Sequence, residues 1–319
     1  MKKLYLGLIT LMFTVSFTFP IWAAQTDRGT ETVKEFVSEI NSSDDNEGYE
    51  SWNDVDIVYG YELFDSDLQT VLGDLYYLKN NNNNEGYVIV DTSGANVLEF
   101  SSGIPAYDTA AETLNIENSS SVKYLYVNAM PAIVNEDTYL NLNLLGEVKE
   151  TVGIGSDVIP FYNPNPQSGN CIVGAISNLL WFWGGNGYSA LTSNMSFKDV
   201  ENKVDSLINA EGGYANKNIP NTIKKYVKNK SSSYSVSVNN KWNPSFSNVK
   251  SETNSRPCLL GFAVGSPYSK NEGHMTVCVG TRSAKSGQFC KLMDGWSSQV
   301  VEKQWGSYND FMSKVRMSK

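Results

Sequence analysis

Among 319 residues there is one histidine, His274, and that scarcity excludes zinc sites built from two or three imidazoles. The four cysteines, Cys171, Cys258, Cys278 and Cys290, lack the paired short spacing of a zinc ribbon or a dithiol redox motif. No metal and no cofactor is therefore expected. Basic residues are outnumbered, 25 Lys and Arg against 34 Asp and Glu, and a formal charge of −9 argues against nucleic acid as a partner. Beyond the N-terminal segment no apolar run is long enough to span a bilayer. No internal repeat is present, and no cysteine follows the first apolar run, which argues against a lipid anchor.

That first segment reads MKKLYLGLITLMFTVSFTFPIWAAQ. Lys2 and Lys3 precede an apolar stretch, and the run closes on Ile21, Trp22 and Ala23 before polar sequence begins. This is the pattern of a secretory signal over residues 1–23. The mature chain is expected to be secreted and soluble, without stable membrane insertion after cleavage. Its length and its 41% hydrophobic content allow a substantial core and about two domains.

The charge is divided unevenly. Residues 24–150 carry 24 Asp and Glu against 5 Lys and Arg, a balance of −19. Residues 151–319 carry 10 against 18, a balance of +8. Two domains of opposite sign on one chain are expected to attract each other at moderate salt.

The acidic half reads as β-rich. Residues 56–65, 68–78, 87–100 and 122–134 are rich in Tyr, Val and Leu, the third broken by a Ser-Gly turn. The asparagine run at 80–86 reads as a turn, and Glu31 to Ile40 as a short amphipathic helix. The basic half opens with helices. Ile172, Ala175, Ile176, Leu179, Leu180 and Trp183 recur at helical spacing before Gly184 and Gly185. Two further helices follow at 196–213 and 219–230, then a strand at 233–239 and a short helix at 245–255. Strands are expected at 256–264, 273–281, 287–296 and 298–305. Helices followed by an antiparallel sheet make an α+β domain.

His274 stands at the head of one of these strands, after Gly273. Cys171 stands at the start of the first helix of the basic half, where the helix dipole and free backbone N–H groups favour a thiolate. Asp294 ends the strand after that of His274, in the sequence Asp-Gly-Trp. If His274 and Asp294 face each other across the hairpin, the carboxylate orients the imidazole and Trp296 shields the hydrogen bond. A thiol, a base and an orienting acid are the parts of covalent acyl transfer. The same register sets Cys278 opposite Cys290, either as a disulfide or as two buried thiols filling a strand face.

The order of a helix-borne Cys, a strand-borne His and then Asp resembles the papain fold. RPCLLGFAVGSPYSKNEGHMTVCVGTRSAKSGQFCKLMDGW is similar to the second half of bacterial papain-like peptidases of the streptopain and bacteriocin-processing type. GYVIVDTSGANVLEFSSG in the acidic half resembles the streptopain-type propeptide. The resemblance implies a secreted cysteine endopeptidase made as a zymogen, with catalytic domain 151–319 and prodomain 24–150. The prodomain would be an intramolecular inhibitor, Gly146 to Pro160 the cleavable linker, and a peptide or protein the substrate. Carried onto this chain, Cys171 is the nucleophile, His274 the base and acid, and Asp294 the orienting group. Of Asn165, Gln167 and Asn170, Gln167 is favoured as oxyanion donor beside the Cys171 backbone N–H. The residues following Cys171 and Gly280 depart from the family pattern. A cell-wall amidase or transpeptidase on the same scaffold needs the same triad, and a non-catalytic secreted binding or inhibitor protein is a third reading.

Overall fold

The computed structural model describes residues 22–44, 46, 48–113, 116, 122–135, 138–140, 150–154, 157–161, 170–263, 273–297 and 299–319. The N-terminal elements are α1 (Trp22–Asn41), β1 (Asp56–Phe64), β2 (Val71–Asn80), β3 (Asn83–Asp91), β4 (Val97–Ser101), α2 (Ala106–Thr113), β5 (Val122–Val127), β6 (Met130–Asn135) and β7 (Thr138–Leu140). A separate hairpin of β8 (Glu150–Ile154) and β9 (Asp157–Phe161) follows. Then come α3 (Asn170–Gly185), α4 (Phe197–Ala210), α5 (Ile219–Lys230), β10 (Ser235–Trp242), α6 (Phe246–Thr253), β11 (Cys258–Phe262), β12 (His274–Ala284), β13 (Gly287–Met293), β14 (Val301–Gln304) and β15 (Asn309–Ser318). The architecture is α+β.

Local chemistry explains several boundaries. Ser196 and Asp199 form a reciprocal capping box at the start of α4, and Gly212 and Gly213, at φ 100° and 97°, follow its end. Pro220 sits in the first turn of α5, where its missing N–H costs no helical hydrogen bond. The asparagine run tightens to a two-residue turn at Asn81 and Asn82, with φ of 49° and 69°. Asparagine tolerates that left-handed conformation better than most side chains, and two such residues suit a twisted hairpin. Helix α1 runs longer than the expected Glu31–Ile40, and α2, β7, the β8–β9 hairpin and β15 were not legible in the sequence.

Thirteen strands join in one sheet, ordered β10-β15-β11-β12-β13-β14-β4-β3-β2-β1-β5-β6-β7. The pairing of β1 with β5 in the acidic half is parallel, so the sheet as a whole is mixed, while the strands of the basic half pair antiparallel, as expected. Helices α3, α4 and α5 share an apolar cluster with Met275, Val277, Val279 and Met293. The alternate side chains Cys258, Leu260, Phe262 and Cys278 belong to a second cluster that also takes residues from α2, α6, β2 and β3.

The acidic and basic halves meet where β14 pairs with β4, Glu302 opposite Phe100 and Lys303 opposite Glu99. The seam is built from a shared apolar cluster and from buried ion pairs and hydrogen bonds. Val33, Phe36 and Ile40 of α1 share an apolar cluster with Phe100 and with Phe289 of β13. Arg282 grips Glu302 through two hydrogen bonds of 2.8 and 3.0 Å, and Tyr49 donates to the same carboxylate at 3.2 Å. Lys303, its side chain 2% exposed, holds Glu99 at 2.5 Å and donates to the Ala129 carbonyl at 2.9 Å. Tyr87 donates to the other Glu99 oxygen at 2.6 Å. Buried pairs of this kind are screened by salt far less than exposed ones.

Candidate functional site

Strand β12 begins at His274, and Gly273 is required just before it. A Cβ there would lie 2.5 Å from the carbonyl oxygen of Phe262 on the neighbouring strand β11. The imidazole is 8% exposed. It stacks on Trp296, with ring centroids 3.7 Å apart and planes 16° from parallel, and meets Phe262 at a tilt, with centroids 6.3 Å apart. Its Nε2 lies 2.6 Å from the main-chain oxygen of Asp294. A carbonyl only accepts, so Nε2 carries the proton and, in the neutral ring, Nδ1 is left with the lone pair.

The contact expected of Asp294 is thus made by its backbone and not by its carboxylate. Register is the reason. The β12–β13 hairpin closes tightly, Ala284 opposite Gly287, and a bulge lies between Cys278 and Gly280, so Met293 faces Val277 and Leu292 faces Cys278. The expected pairing of His274 with Asp294, and with it Cys278 opposite Cys290, is displaced. Cys290 instead faces Thr281. The Asp294 carboxylate turns back on its own chain, where Oδ1 accepts from the backbone N–H groups of Trp296 and Ser297, both at 3.0 Å. Gly295, at φ 85°, makes the turn possible. Lys303 Nζ lies 3.7 Å from Oδ2. The carboxylate therefore shapes the turn that supplies both the carbonyl and the indole holding the imidazole.

Substitution separates the two roles. Asp294→Asn keeps an oxygen for both N–H groups and should cost about 1 kcal/mol. Asp294→Ala leaves two buried donors unpaired and should cost about 2–3 kcal/mol. Urea unfolding of the two variants measures the difference, and equal costs would remove the turn-shaping role.

Burial holds the His274 pKa far below its usual 6.5, at about 3, and the nearby Lys303 charge pushes the same way, against the opposing hydrogen bond to Asp294. In this geometry the ring is neutral at physiological pH.

Cys171 is the second residue of α3, half-buried, and packs against the apolar cluster of that helix. Helix α3 lies on β12, but through Met275, Val277 and Val279. His274 belongs to the alternate set with Thr276 and Cys278, and its ring is turned to the Asp294–Trp296 turn. Among the described residues it makes no hydrogen bond to Cys171. Gln167 and Asn165 lie outside the described residues, as does the side chain of Asn170.

The site also contains residues that the sequence did not flag. Lys303 and Ser297 flank the Asp294 carboxylate, Ser297 Oγ at 3.5 Å from Oδ2. Lys303 reads as an ordinary charge in a short strand, and only the pairing of β14 with β4 buries it. Among the described residues no helix is long and apolar enough to cross a membrane. Compared with known proteins, the chain matches no family model and no curated sequence.

Proposed function

We propose that the chain is a cysteine endopeptidase of papain-like type, secreted as a precursor whose acidic half, 24–150, restrains the basic half, 151–319. One observation carries this reading: the helix with Cys171 in its first turn packs on the strand that begins with the only histidine, and an Asp-Gly-Trp turn fixes that histidine's ring. A helix N-terminus favours the thiolate of a cysteine nucleophile, and acyl transfer through a thiol uses a positioned imidazole as base. The described ring is neutral and faces Asp294 O, so productive chemistry requires it to turn toward α3 and take the thiol proton.

In the proposed reaction the Cys171 thiolate attacks the substrate carbonyl. The tetrahedral oxygen is stabilised by the Cys171 backbone N–H and the Gln167 amide. His274 then protonates the leaving amine, giving a thioester. Water, deprotonated by His274, attacks the thioester and releases the acid and the free thiol. The Asp294 carbonyl and Trp296 limit the ring's orientations in place of the expected carboxylate.

The test is hydrolysis of casein and of short peptides by protein recovered from culture medium. Cys171→Ala should fold normally and lose activity by more than about a thousandfold. In the parent protein one equivalent of an alkylating reagent should abolish activity and label Cys171 ahead of the three buried cysteines. Near-normal hydrolysis by Cys171→Ala would sink the assignment. Digestion of peptidoglycan without digestion of casein would move the reading to a cell-wall amidase.

A further inference from the structure

The three cysteines outside the proposed site lie side by side in the sheet. Cys258, at the head of β11, stands directly opposite Cys278 on β12. Cys290, on β13, is set off from Cys278 by the bulge and faces Thr281. The Cys278 thiol donates to the Gly280 carbonyl at 3.2 Å, and all three cysteines belong to the same apolar cluster. Cys258 and Cys278 are 0% exposed and Cys290 1%. Among the described residues no group of three His, Cys, Asp or Glu side chains has the arrangement of a metal site. The shared chemistry is therefore that of thiols.

Directly opposed residues of an antiparallel ladder have Cα atoms about 4.5–5.5 Å apart, and disulfides span Cα separations of about 4.4–6.8 Å. Of the two partners available to Cys278, only Cys258 is its opposite in the ladder. We propose that Cys258 and Cys278 form a cross-strand disulfide when the chain folds in the presence of a low-molecular-weight disulfide, leaving Cys171 and Cys290 as thiols.

The exchange balances in two steps. The Cys278 thiolate attacks one sulfur of oxidised glutathione, whose S–S bond breaks and releases a glutathione thiolate that takes up a proton. Cys258 then loses its proton and attacks the Cys278 sulfur of the mixed disulfide, expelling the second glutathione. Two protein thiols lose two electrons and two protons, and one oxidised glutathione becomes two thiols.

Either thiol of the opposed pair can open the exchange and the other close it, with the same balance of atoms and electrons. Timing follows from burial: glutathione cannot reach the pair in the finished sheet. The exchange therefore precedes closure of the apolar cluster that Cys258 and Cys278 share with Phe246 and Val249 of α6. The bond would clamp β11 beside β12, four residues from His274.

The full chain, refolded with oxidised glutathione and isolated as a folded monodisperse species, decides the matter. It is denatured without reductant, its free thiols are counted, and its peptides are mapped by mass spectrometry. The expected result is a fall from four free thiols to two, with Cys258 linked to Cys278. Cys290→Ser should keep the same bridge. Four free thiols in the wild-type protein, or a map linking Cys278 to Cys290, would overturn the proposal. The wild-type map decides even where a variant fails to fold.

Discussion

Changing Lys303 to methionine should cost about 3–5 kcal/mol of stability, the range for removing one member of a buried ion pair. The ammonium lies between Glu99 at 2.5 Å and Asp294 at 3.7 Å, with the Ala129 carbonyl at 2.9 Å and the Tyr126 ring 5.6 Å away. Its loss leaves the Glu99 carboxylate buried without its cation, with the Tyr87 hydroxyl still donating to it. Since domains are stable by only about 5–15 kcal/mol in all, this one change takes a large share. Adding Glu99→Gln should return much of it. The amide oxygen still accepts from Tyr87, and no unpaired charge remains on that side. Urea unfolding of the two singles and the double gives the coupling directly. Additive costs would mean that Lys303 and Glu99 do not act as a pair across the seam.

Acid should unfold the protein through His274 in particular. The folded ring has its pKa at about 3, against an ordinary 6.5. Below pH 6.5 the unfolded chain takes up a proton that the folded chain refuses. The stability contributed by the neutral ring is therefore complete above about pH 6.5. It erodes by about 1.4 kcal/mol per pH unit as pH falls toward the folded pKa. By pH 4 the loss is about 3 kcal/mol. His274→Gln retains a donor for the Asp294 carbonyl and has nothing to titrate, so its stability should fall less steeply over the same range, by one proton in the slope. With a single histidine in the chain, the imidazole proton resonance needs no assignment. It should not move between pH 8 and pH 5. A titration centred near the ordinary histidine value would refute the buried, neutral ring.

The helical part of the basic half was legible because its burial is periodic. Ile172, Ala175, Ile176, Leu179 and Leu180 were read from spacing alone, and all are buried in the cluster that packs on β12. Strand β15 was not legible. In NDFMSKVRMS the apolar residues Phe311, Met312, Val315 and Met317 are interleaved with Lys314 and Arg316, which suggests a solvated tail. Pairing on both sides, with β10 and β11, makes it a central strand. The proximity of His274, Asp294 and Trp296 was legible, but the atom by which Asp294 meets the ring was not. One bulge and a tight turn shift the ladder by two to three residues, and nothing in HMTVCVGTRSAKSGQF announces the bulge. The seam was hidden for a different reason. Lys303 and Glu99 are 204 positions apart, and no local pattern marks two strands so distant as neighbours. Net charge gave the sign of the attraction between the halves without showing that their contact is a packed core.

If the N-terminal half is removed, as the proposed precursor requires, β14 is left as an outer strand with unsatisfied backbone N–H and C=O groups facing water. Such an edge is a template for joining further chains and for fibrous association. This one is four residues long and carries Glu302 and Lys303 in sequence. Brevity and a lysine on the rim are the means by which β-proteins discourage edge-to-edge growth. The lysine that joins the intact molecule internally would thus also keep a trimmed one from polymerising.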